Sequence, residues 1–157
     1  MNIDKETYQH FYVKAATYCS VAEHCESEVR DKLKAWETPE EIVDTILNQL
    51  KEEEFINEIR YCNAFVADKL KHNKWGRIKI AYELGRKRLS GTCIQDILQN
   101  IDEEDYRAMA CELMTKKNKE VKAKDTYERR NKLFRFMAGR GFEFDVMESA
   151  YAEMMKE

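Results

Sequence analysis

Apolar side chains along the chain occur in pairs that lie one helical turn apart. A separation of four residues places both members of a pair on one face of an α-helix, so each pair predicts an amphipathic helix. The six pairs are Val29 and Leu33, Ile42 and Ile46, Ile80 and Leu84, Ile94 and Leu98, Leu133 and Met137, and Val146 and Ala150. First pairs start at positions 29, 80 and 133 and second pairs at 42, 94 and 146, so the intervals are 51 and 53 residues and 52 and 52 residues. Three units of about equal length are therefore predicted.

A further apolar stretch with helical spacing precedes each set of two pairs. These stretches contain Phe11, Ala15 and Cys19; Ile59, Cys62, Val66 and Leu70; and Tyr106, Met109 and Leu113. The pattern predicts nine helices in an all-α fold of three tandem three-helix repeats, over residues 1–56, 57–101 and 102–157. Because a three-helix unit of this size buries its apolar faces poorly by itself, we expect the repeats to stack into an elongated array, straight or curved.

Short breaks between the paired helices carry turn and capping residues. In the first unit Thr38 is predicted to cap the next helix, with Pro39 at the first helical position and Glu41 completing a capping box. In the third unit the break Gly139–Phe142 offers a glycine for the left-handed conformation that ends a helix. Gly91 is predicted to serve the same purpose in the second unit.

Composition supports the helical prediction. The 157 residues include one proline and five glycines, too few for the turns of a sheet protein, and are 43% hydrophobic and 36% charged. The five cysteines are odd in number and form no Cys-x-x-Cys motif, so reduced thiols are expected rather than disulfides or a zinc ribbon. No signal segment is recognisable, and no apolar stretch approaches the roughly 18 residues of a membrane span. These features predict a cytoplasmic protein without membrane contact.

No group of residues has the spacing of a catalytic, cofactor or metal site. Cys19, His24 and Cys25 lack the spacing and the fourth ligand of a tetrahedral metal site, so packing cysteines are the preferred interpretation. The acidic runs at 52–54 and 102–105 lack the glycine and the alternating ligands of a calcium loop, and they indicate solvated helix ends. Neither phosphate-binding glycine motif occurs. We therefore predict a protein that is not an enzyme and has no cofactor and no metal.

Charge is distributed unevenly although the net charge is only −3. Residues 11–56 carry a net charge of −6, residues 57–101 of +5 and residues 102–157 of −1. The basic segments of the second and third units predict a surface that binds DNA phosphates or an acidic protein; the alternative is an ordinary solvated surface. The predicted partner-binding residues are Lys69, Lys74, Trp75, Arg77, Lys79, Arg86, Lys87, Arg88, Arg129, Arg130, Arg135 and Arg140.

Several segments of the chain, taken in order, resemble the RecX family of recombinase regulators. The resemblance covers nearly the whole chain, and its specificity comes from three segments in order at the repeat spacing rather than from one motif. Its central part is Glu53–Val66, followed by Lys74–Ile80 and Glu83–Leu84; the N-terminal part is Ala15–Tyr18 with Glu28–Leu33, and the C-terminal part is Lys132–Phe136 with Arg140–Phe142. Glu54 departs from the family pattern where glycine is usual, and Cys25 where serine or a similar helix cap is common.

The resemblance implies three tandem three-helix repeats that bind the RecA recombinase. Such a protein lies in the helical groove of the RecA filament on DNA and restrains its recombinase, ATPase and coprotease activities, within DNA repair and the SOS response. On this basis we expect a RecA filament as partner, a weak direct contact with DNA, and a monomer. Two alternatives stay open, a helical DNA-binding protein of the helix-turn-helix type and a helical scaffold for an unrelated partner.

Overall fold

The computed structural model describes residues 3–156. Over these residues the chain forms nine α-helices and no strand, so the predicted all-α fold of three tandem three-helix units is confirmed. The helices are α1 Lys5–Val21, α2 Glu26–Ala35, α3 Glu40–Glu52, α4 Glu58–Asp68, α5 Arg77–Arg86, α6 Gly91–Gln99, α7 Glu103–Glu120, α8 Thr126–Gly139 and α9 Phe144–Met155. A π-helical turn, Lys69–Asn73, extends α4 and ends at Lys74, whose φ is 55°. Within the described part of the chain, no helix is long and apolar enough to cross a membrane.

Each unit encloses a hydrophobic core of its own. The predicted apolar pairs build these cores, since every member of the six pairs is at most 7% exposed. The cores form three separate clusters, centred on α1–α3, α4–α6 and α7–α9. Apolar contact between units is limited: Cys25 of the first unit packs in the second core, while Leu70 and Ile101 touch both the second and third cores. Each unit thus has a core of its own, and a few apolar residues join it to the next core.

The middle helix of every unit ends in the same way. The second residue after the helix adopts a left-handed conformation: Glu37 with φ 59°, Arg88 with φ 66° and Gly141 with φ 90°. This turn lets the next backbone N–H reach back to close the helix. The closing bonds run from Thr38 N to Leu33 O, Leu89 N to Leu84 O and Phe142 N to Met137 O. The prediction for the third unit is confirmed, whereas Gly91 is not the terminating residue and instead begins α6.

The predicted capping box at the start of α3 is wrong. Helix α3 begins at Glu40, one residue later than predicted, and Pro39 occupies the capping position, where it has no side-chain acceptor to offer. Thr38 instead belongs to the turn that closes α2, because its N–H bonds to Leu33 O at 3.0 Å. Within the described residues its buried hydroxyl has no hydrogen-bond partner. The break is too short for Thr38 to end one helix and cap the next.

The two departures from the family pattern have local explanations. Glu54 follows the end of α3 and adopts a left-handed φ of 63°, a conformation that glycine adopts more easily. Cys25 occupies the capping position of α2, where its backbone N–H donates to Glu28 Oε1 at 3.2 Å. Glu28 therefore supplies one half of the capping arrangement even though the cap itself is not serine.

The three middle helices follow one another head to tail. At the N-terminus of α2, Ser27 Oγ donates to Lys87 O, at the C-terminus of α5, over 2.7 Å. At the N-terminus of α5, Gly76 N donates to Arg140 O over 2.8 Å and Ile78 N to Gly141 O over 3.0 Å, at the C-terminus of α8. Each contact joins the positive end of one helix dipole to the negative end of the next. These two contacts define the first junction and the second junction between the units.

Candidate functional site

Two lysines of the second unit lie over the ring of Trp75. Lys79 Nζ is 4.7 Å from the ring centre and Lys69 Nζ is 5.0 Å from it. Lys69 also lies 5.3 Å from the ring centre of Phe65, which contacts Trp75 edge to face. The π-helical turn carries the chain from α4 to α5 and so brings Lys69 near Trp75, while Lys79 is one helical turn beyond it. The result is a small cluster of rings and ammonium groups.

A similar cluster in the third unit adjoins the first one. The ring centre of Phe136 lies 4.8 Å from Lys117 Nζ and 5.3 Å from the guanidinium carbon of Arg140. Arg140 also donates from Nη1 to Asn73 O at 2.5 Å, in the turn that leads to Trp75. The two clusters therefore meet across the second junction. We call the set the cation–aromatic strip, which comprises Phe65, Lys69, Trp75, Lys79, Lys117, Phe136 and Arg140.

The three lysines of the strip, Lys69, Lys79 and Lys117, remain available to an external anion. A ring face orients a cation with a gain of roughly 0.5–1 kcal/mol at exposed sites, without neutralising its charge. Two lysines have nearby carboxylates, Lys69 with Asp68 and Lys117 with Glu120, each at 3.6 Å. Such pairs at a surface contribute little and exchange readily. The strip thus presents oriented positive charge suited to phosphate or carboxylate groups.

Arg77, a predicted partner-binding residue, is engaged inside the second junction. Its guanidinium bonds to Glu143 at 2.8 Å and to Glu103, and it lies 3.9 Å from the ring centre of Tyr106. Its backbone N–H donates to the hydroxyl of Tyr106, which in turn donates to Glu143 at 2.5 Å. Burial alone would lower the pKa of Arg77, but the bonds to Glu143 and Glu103 outweigh it and raise the pKa. This arginine fixes the third unit against the second.

Lys87 and Arg129 also make internal contacts. Lys87 Nζ pairs with Glu28 across the first junction at 2.9 Å. Arg129 Nη1 donates to the backbone and side-chain oxygens of Asn118, both at 3.0 Å, and to Val121 O at 3.1 Å. Because these acceptors lie at the end of α7, Arg129 supplies hydrogen bonds that the helix terminus would otherwise lack. Both side chains stabilise the fold through these bonds.

Arg130 belongs to a second group of aromatic side chains in the third unit. Its guanidinium carbon lies 4.1 Å from the ring centre of Phe134 and 5.6 Å from that of Tyr151. Phe134 also packs against Phe144, which is 59% exposed. Phe134 and Phe136 are two residues apart on α8, a rotation of about 200°, so this group lies on a different side of the helix from the strip.

The remaining predicted residues are exposed. Lys74 follows the π-helical turn and adjoins the strip, while Arg86 lies 3.6 Å from Glu83. Within residues 3–156 the side chains of Lys74, Arg88 and Arg135 have no hydrogen-bond or ion-pair partner. Arg86 and Arg88 line a cleft of about 600 Å³ at the first junction, where several carboxylates balance them. The twelve predicted residues therefore do not form one face.

Three members of the strip were missed by the sequence prediction. Phe65 and Phe136 could have been found, because each precedes a cation by four residues: Lys69 in one case and Arg140 in the other. Trp75 and Lys79 have the same spacing, which makes side chains neighbours on a helix. Lys117 lies on α7 and reaches Phe136 on α8. That contact depends on helix packing and has no local sequence signal.

Sequence comparison finds similarity along the whole array. Residues 12–50, 57–98 and 103–150 match the families described as RecX first, second and third three-helix domains, in that order. Two similar relatives are named Regulatory protein RecX. The one from Clostridium botulinum is 37% identical and the one from Clostridium beijerinckii 36% identical, each over 132 residues that make up 83% of the chain. The chain spans 61% of the length of each relative.

Comparison with solved structures shows the same fold. The crystal structure of RecX from Lactobacillus salivarius superimposes with a TM-score of 0.87 at 20% sequence identity, covering 97% of this chain and 99% of that one. A second structure, described as regulatory protein RecX, gives a TM-score of 0.86 at 23% identity and covers 97% of this chain and 79% of that one. The arrangement of the three units is thus common to these proteins.

Proposed function

The chain belongs to the RecX family of regulatory proteins, and from this we propose that it binds the RecA recombinase filament on DNA and restrains it. The activities affected would be recombination, ATP hydrolysis and coprotease function, in DNA repair and SOS regulation. The observation that carries the proposal is the match of all three family domains in their order along the chain. We further propose that the protein acts by binding and not by catalysis.

We propose the cation–aromatic strip as the part of the surface that contacts the filament. It spans two units, and its cations lie over rings instead of being closely paired with carboxylates. The contacts of Arg77 and Arg140 across the second junction support a fixed spacing between its two halves. A surface of this kind would engage acidic groups on the filament over a longer distance than one unit can reach.

Regulation by binding requires different affinities for different filament states. A protein that binds active and inactive filaments equally well shifts nothing, however tightly it binds. Contacts from more than one unit to neighbouring RecA subunits would depend on the spacing of those subunits. Such multivalent binding is strong only where the geometry allows simultaneous contact. We therefore propose that the array favours the filament state whose subunit spacing matches the distance between its units.

A helix-turn-helix DNA-binding function receives less support. In a domain of that type the recognition helix contacts the major groove, and cations around it contact phosphates. The third helices of the second and third units, α6 and α9, contain no lysine or arginine, and α3 contains one lysine and four acidic residues. Most basic side chains of the second and third units lie instead on the other helices and in the turns between them.

The direct test is ATP hydrolysis by RecA from the same host on single-stranded DNA. We expect the purified chain to lower the rate in a concentration-dependent way and to inhibit strand exchange. No effect of the chain at several-fold molar excess over RecA would remove the proposal.

A second measurement separates filament binding from DNA binding. Anisotropy of labelled single-stranded and duplex oligonucleotides, without RecA, should show weak binding that is independent of sequence. Tight binding to DNA alone, with the logarithm of affinity falling steeply as salt rises, would favour the DNA-binding alternative.

A further inference from the structure

Two cysteine thiols of the second unit are in contact. Cys62 lies on α4 and Cys93 on α6, and their sulfur atoms are 3.7 Å apart although the residues are 31 positions apart in sequence. Among the five free cysteines of residues 3–156, this is the only pair that the structure places in thiol–thiol contact. The contact joins the first and third helices of the most basic unit.

The two thiols differ in their access to solvent. Cys62 is completely buried in the second core, whereas Cys93 is half-buried. Cys93 lines a cleft of about 780 Å³ that lies between α6 and residues of the first unit, among them Lys51 and Ile56. A small reagent in solution can therefore reach Cys93 directly and Cys62 only through it.

We propose that Cys62 and Cys93 form a modification site, a dithiol that a low-molecular-weight disulfide oxidises to an intramolecular disulfide. In the first step the Cys93 thiolate attacks the reagent, forms a mixed disulfide and releases one thiolate. In the second step Cys62 loses its proton, attacks the Cys93 sulfur and releases the second thiolate of the reagent. The protein loses two protons and two electrons, and the reagent is reduced to two thiols.

Geometry and environment support this order of events. A disulfide needs its sulfurs about 2.05 Å apart, so the two sulfur atoms, now 3.7 Å apart, must approach by roughly 1.7 Å. Burial, together with the neighbouring Cys93 thiol, raises the pKa of Cys62 to about 12. Cys62 is thus a poor first nucleophile, but it stands beside the sulfur that it must attack, and the second step is intramolecular.

The bond would tie α4 to α6. Closing a loop of this length restricts the unfolded chain, so oxidation should raise the melting temperature of the second unit by roughly 5–10 °C. Cys111 provides a matched control because it is also half-buried but packs in the third unit, where its sulfur contacts Ala150 O.

The test is incubation of the full chain with glutathione disulfide, followed by mass spectrometry under non-reducing conditions. We expect a product lighter by about two mass units, a peptide that links Cys62 to Cys93, and a reversal by dithiothreitol. Cys93→Ser should abolish the product, and Cys111→Ser should leave it unchanged, with circular dichroism checking the fold of both variants.

Three outcomes would overturn the proposal. They are retention of all five thiols, a stable glutathione adduct on Cys93 with Cys62 still reduced, and a disulfide that joins two chains. Each would mean that Cys62 and Cys93 do not form an intramolecular disulfide.

Discussion

The two junctions between units are built from different kinds of contact. At the first junction most polar contacts use side chains: Lys87 pairs with Glu28 at 2.9 Å, and Arg60 pairs with Glu23 at 2.5 Å. At the second junction two backbone N–H groups, of Gly76 and Ile78, bond directly to the C-terminal turn of α8. A β-carbon on Gly76 would lie 2.3 Å from Gly141 O, so the two backbones approach closely there.

From this difference we expect the two junctions to differ in rigidity. Backbone bonds fix both distance and direction, and Arg77 adds a guanidinium fork that holds two carboxylates. A lysine–glutamate pair has several rotatable bonds on each side, so it tolerates changes of angle. We therefore expect the second and third units to behave as one rigid block that carries the cation–aromatic strip, and the first unit to rotate more freely.

The largest effect should come from Gly141→Ala. The residue has φ 90°, and its new β-carbon would lie 2.3 Å from Lys79 Cβ and 2.5 Å from Lys79 N. Strain and overlap together should cost about 3 kcal/mol or more and open the second junction. Chemical denaturation measures the loss of free energy, and hydrogen exchange at the start of α5 measures the opening of the junction. Gly139→Ala is the control, because its β-carbon meets nothing within 4 Å and alanine favours the helix. Equal effects of the two changes would show that the second junction does not depend on glycine at position 141.

A smaller effect is expected for Arg77→Ala. The change leaves Glu143 and Glu103 without their shared cation, and we expect a loss of roughly 2 kcal/mol in the free energy of unfolding. Arg107 is the matched control, since it also bridges two carboxylates, those of Glu103 and Asp145 at 2.8 and 2.9 Å, but on an exposed surface. Arg107→Ala should cost less than about 0.5 kcal/mol. If urea denaturation gives similar losses for both variants, Arg77 does not hold the junction.

Lys87→Ala should affect the first junction alone. Removing the pair with Glu28 should cost about 1 kcal/mol and raise the hydrogen-exchange rate at the start of α2, with no change at the start of α5. Arg86→Ala serves as the control, because Arg86 is the neighbouring residue, is exposed, and makes only a long contact with Glu83. Faster exchange at both junctions would show that the units do not move independently.

The smallest effect should be that of mild acid on the first junction. Burial raises the pKa of Glu28, but bonds from Lys87 and the Cys25 N–H lower it more, so its pKa lies below its ordinary value. A carboxylate of this kind contributes stability above its unfolded-state pKa and loses that contribution as pH falls through its folded-state pKa.

As pH falls below about 5 and through the lowered pKa of Glu28, exchange at the start of α2, corrected for the pH dependence of intrinsic amide exchange, should therefore rise. The pKa of Glu103 is also lowered, by Arg107 and Arg77, so the second junction loses one contact in the same range but keeps its backbone bonds. Glu28→Gln should weaken the first junction at neutral pH and remove most of its response to acid. An unchanged response in this variant would assign the effect to another group.

The sequence predicted the helices well because their apolar spacing is a local property. It also predicted the glycine turn after α8, since glycine adopts the left-handed conformation without penalty. The equivalent turns at Glu37 and Arg88 could not be predicted from residue type, because residues other than glycine rarely adopt the left-handed backbone conformation. Thr38 was wrongly predicted to cap α3. The segment between α2 and α3 is so short that Thr38 belongs to the turn that ends α2.

The candidate surface was predicted only in part. Charge counting identified basic residues in the second and third units but did not separate Arg77, Lys87 and Arg129, which bond to the protein itself, from Lys69 and Lys79 of the strip, which lie over the ring of Trp75. That distinction depends on contacts between residues far apart in sequence, such as Arg77 with Glu143 and Lys87 with Glu28. Aromatic residues four positions from a cation would have been a better guide, and Phe65 and Phe136 would then have been included.

We propose that the second and third units form one rigid block and that this block carries the surface that binds RecA. Inhibition of RecA ATP hydrolysis by two double variants tests this proposal. Lys69→Glu/Lys117→Glu reverses the charge of one strip lysine in the second unit and one in the third, and Lys5→Glu/Lys34→Glu is the control. The control alters net charge equally, at exposed lysines of the first unit. We expect the strip variant to need roughly tenfold more protein for half inhibition and the control less than about threefold more, with helicity unchanged in both. Equal shifts for the two variants would contradict the claim.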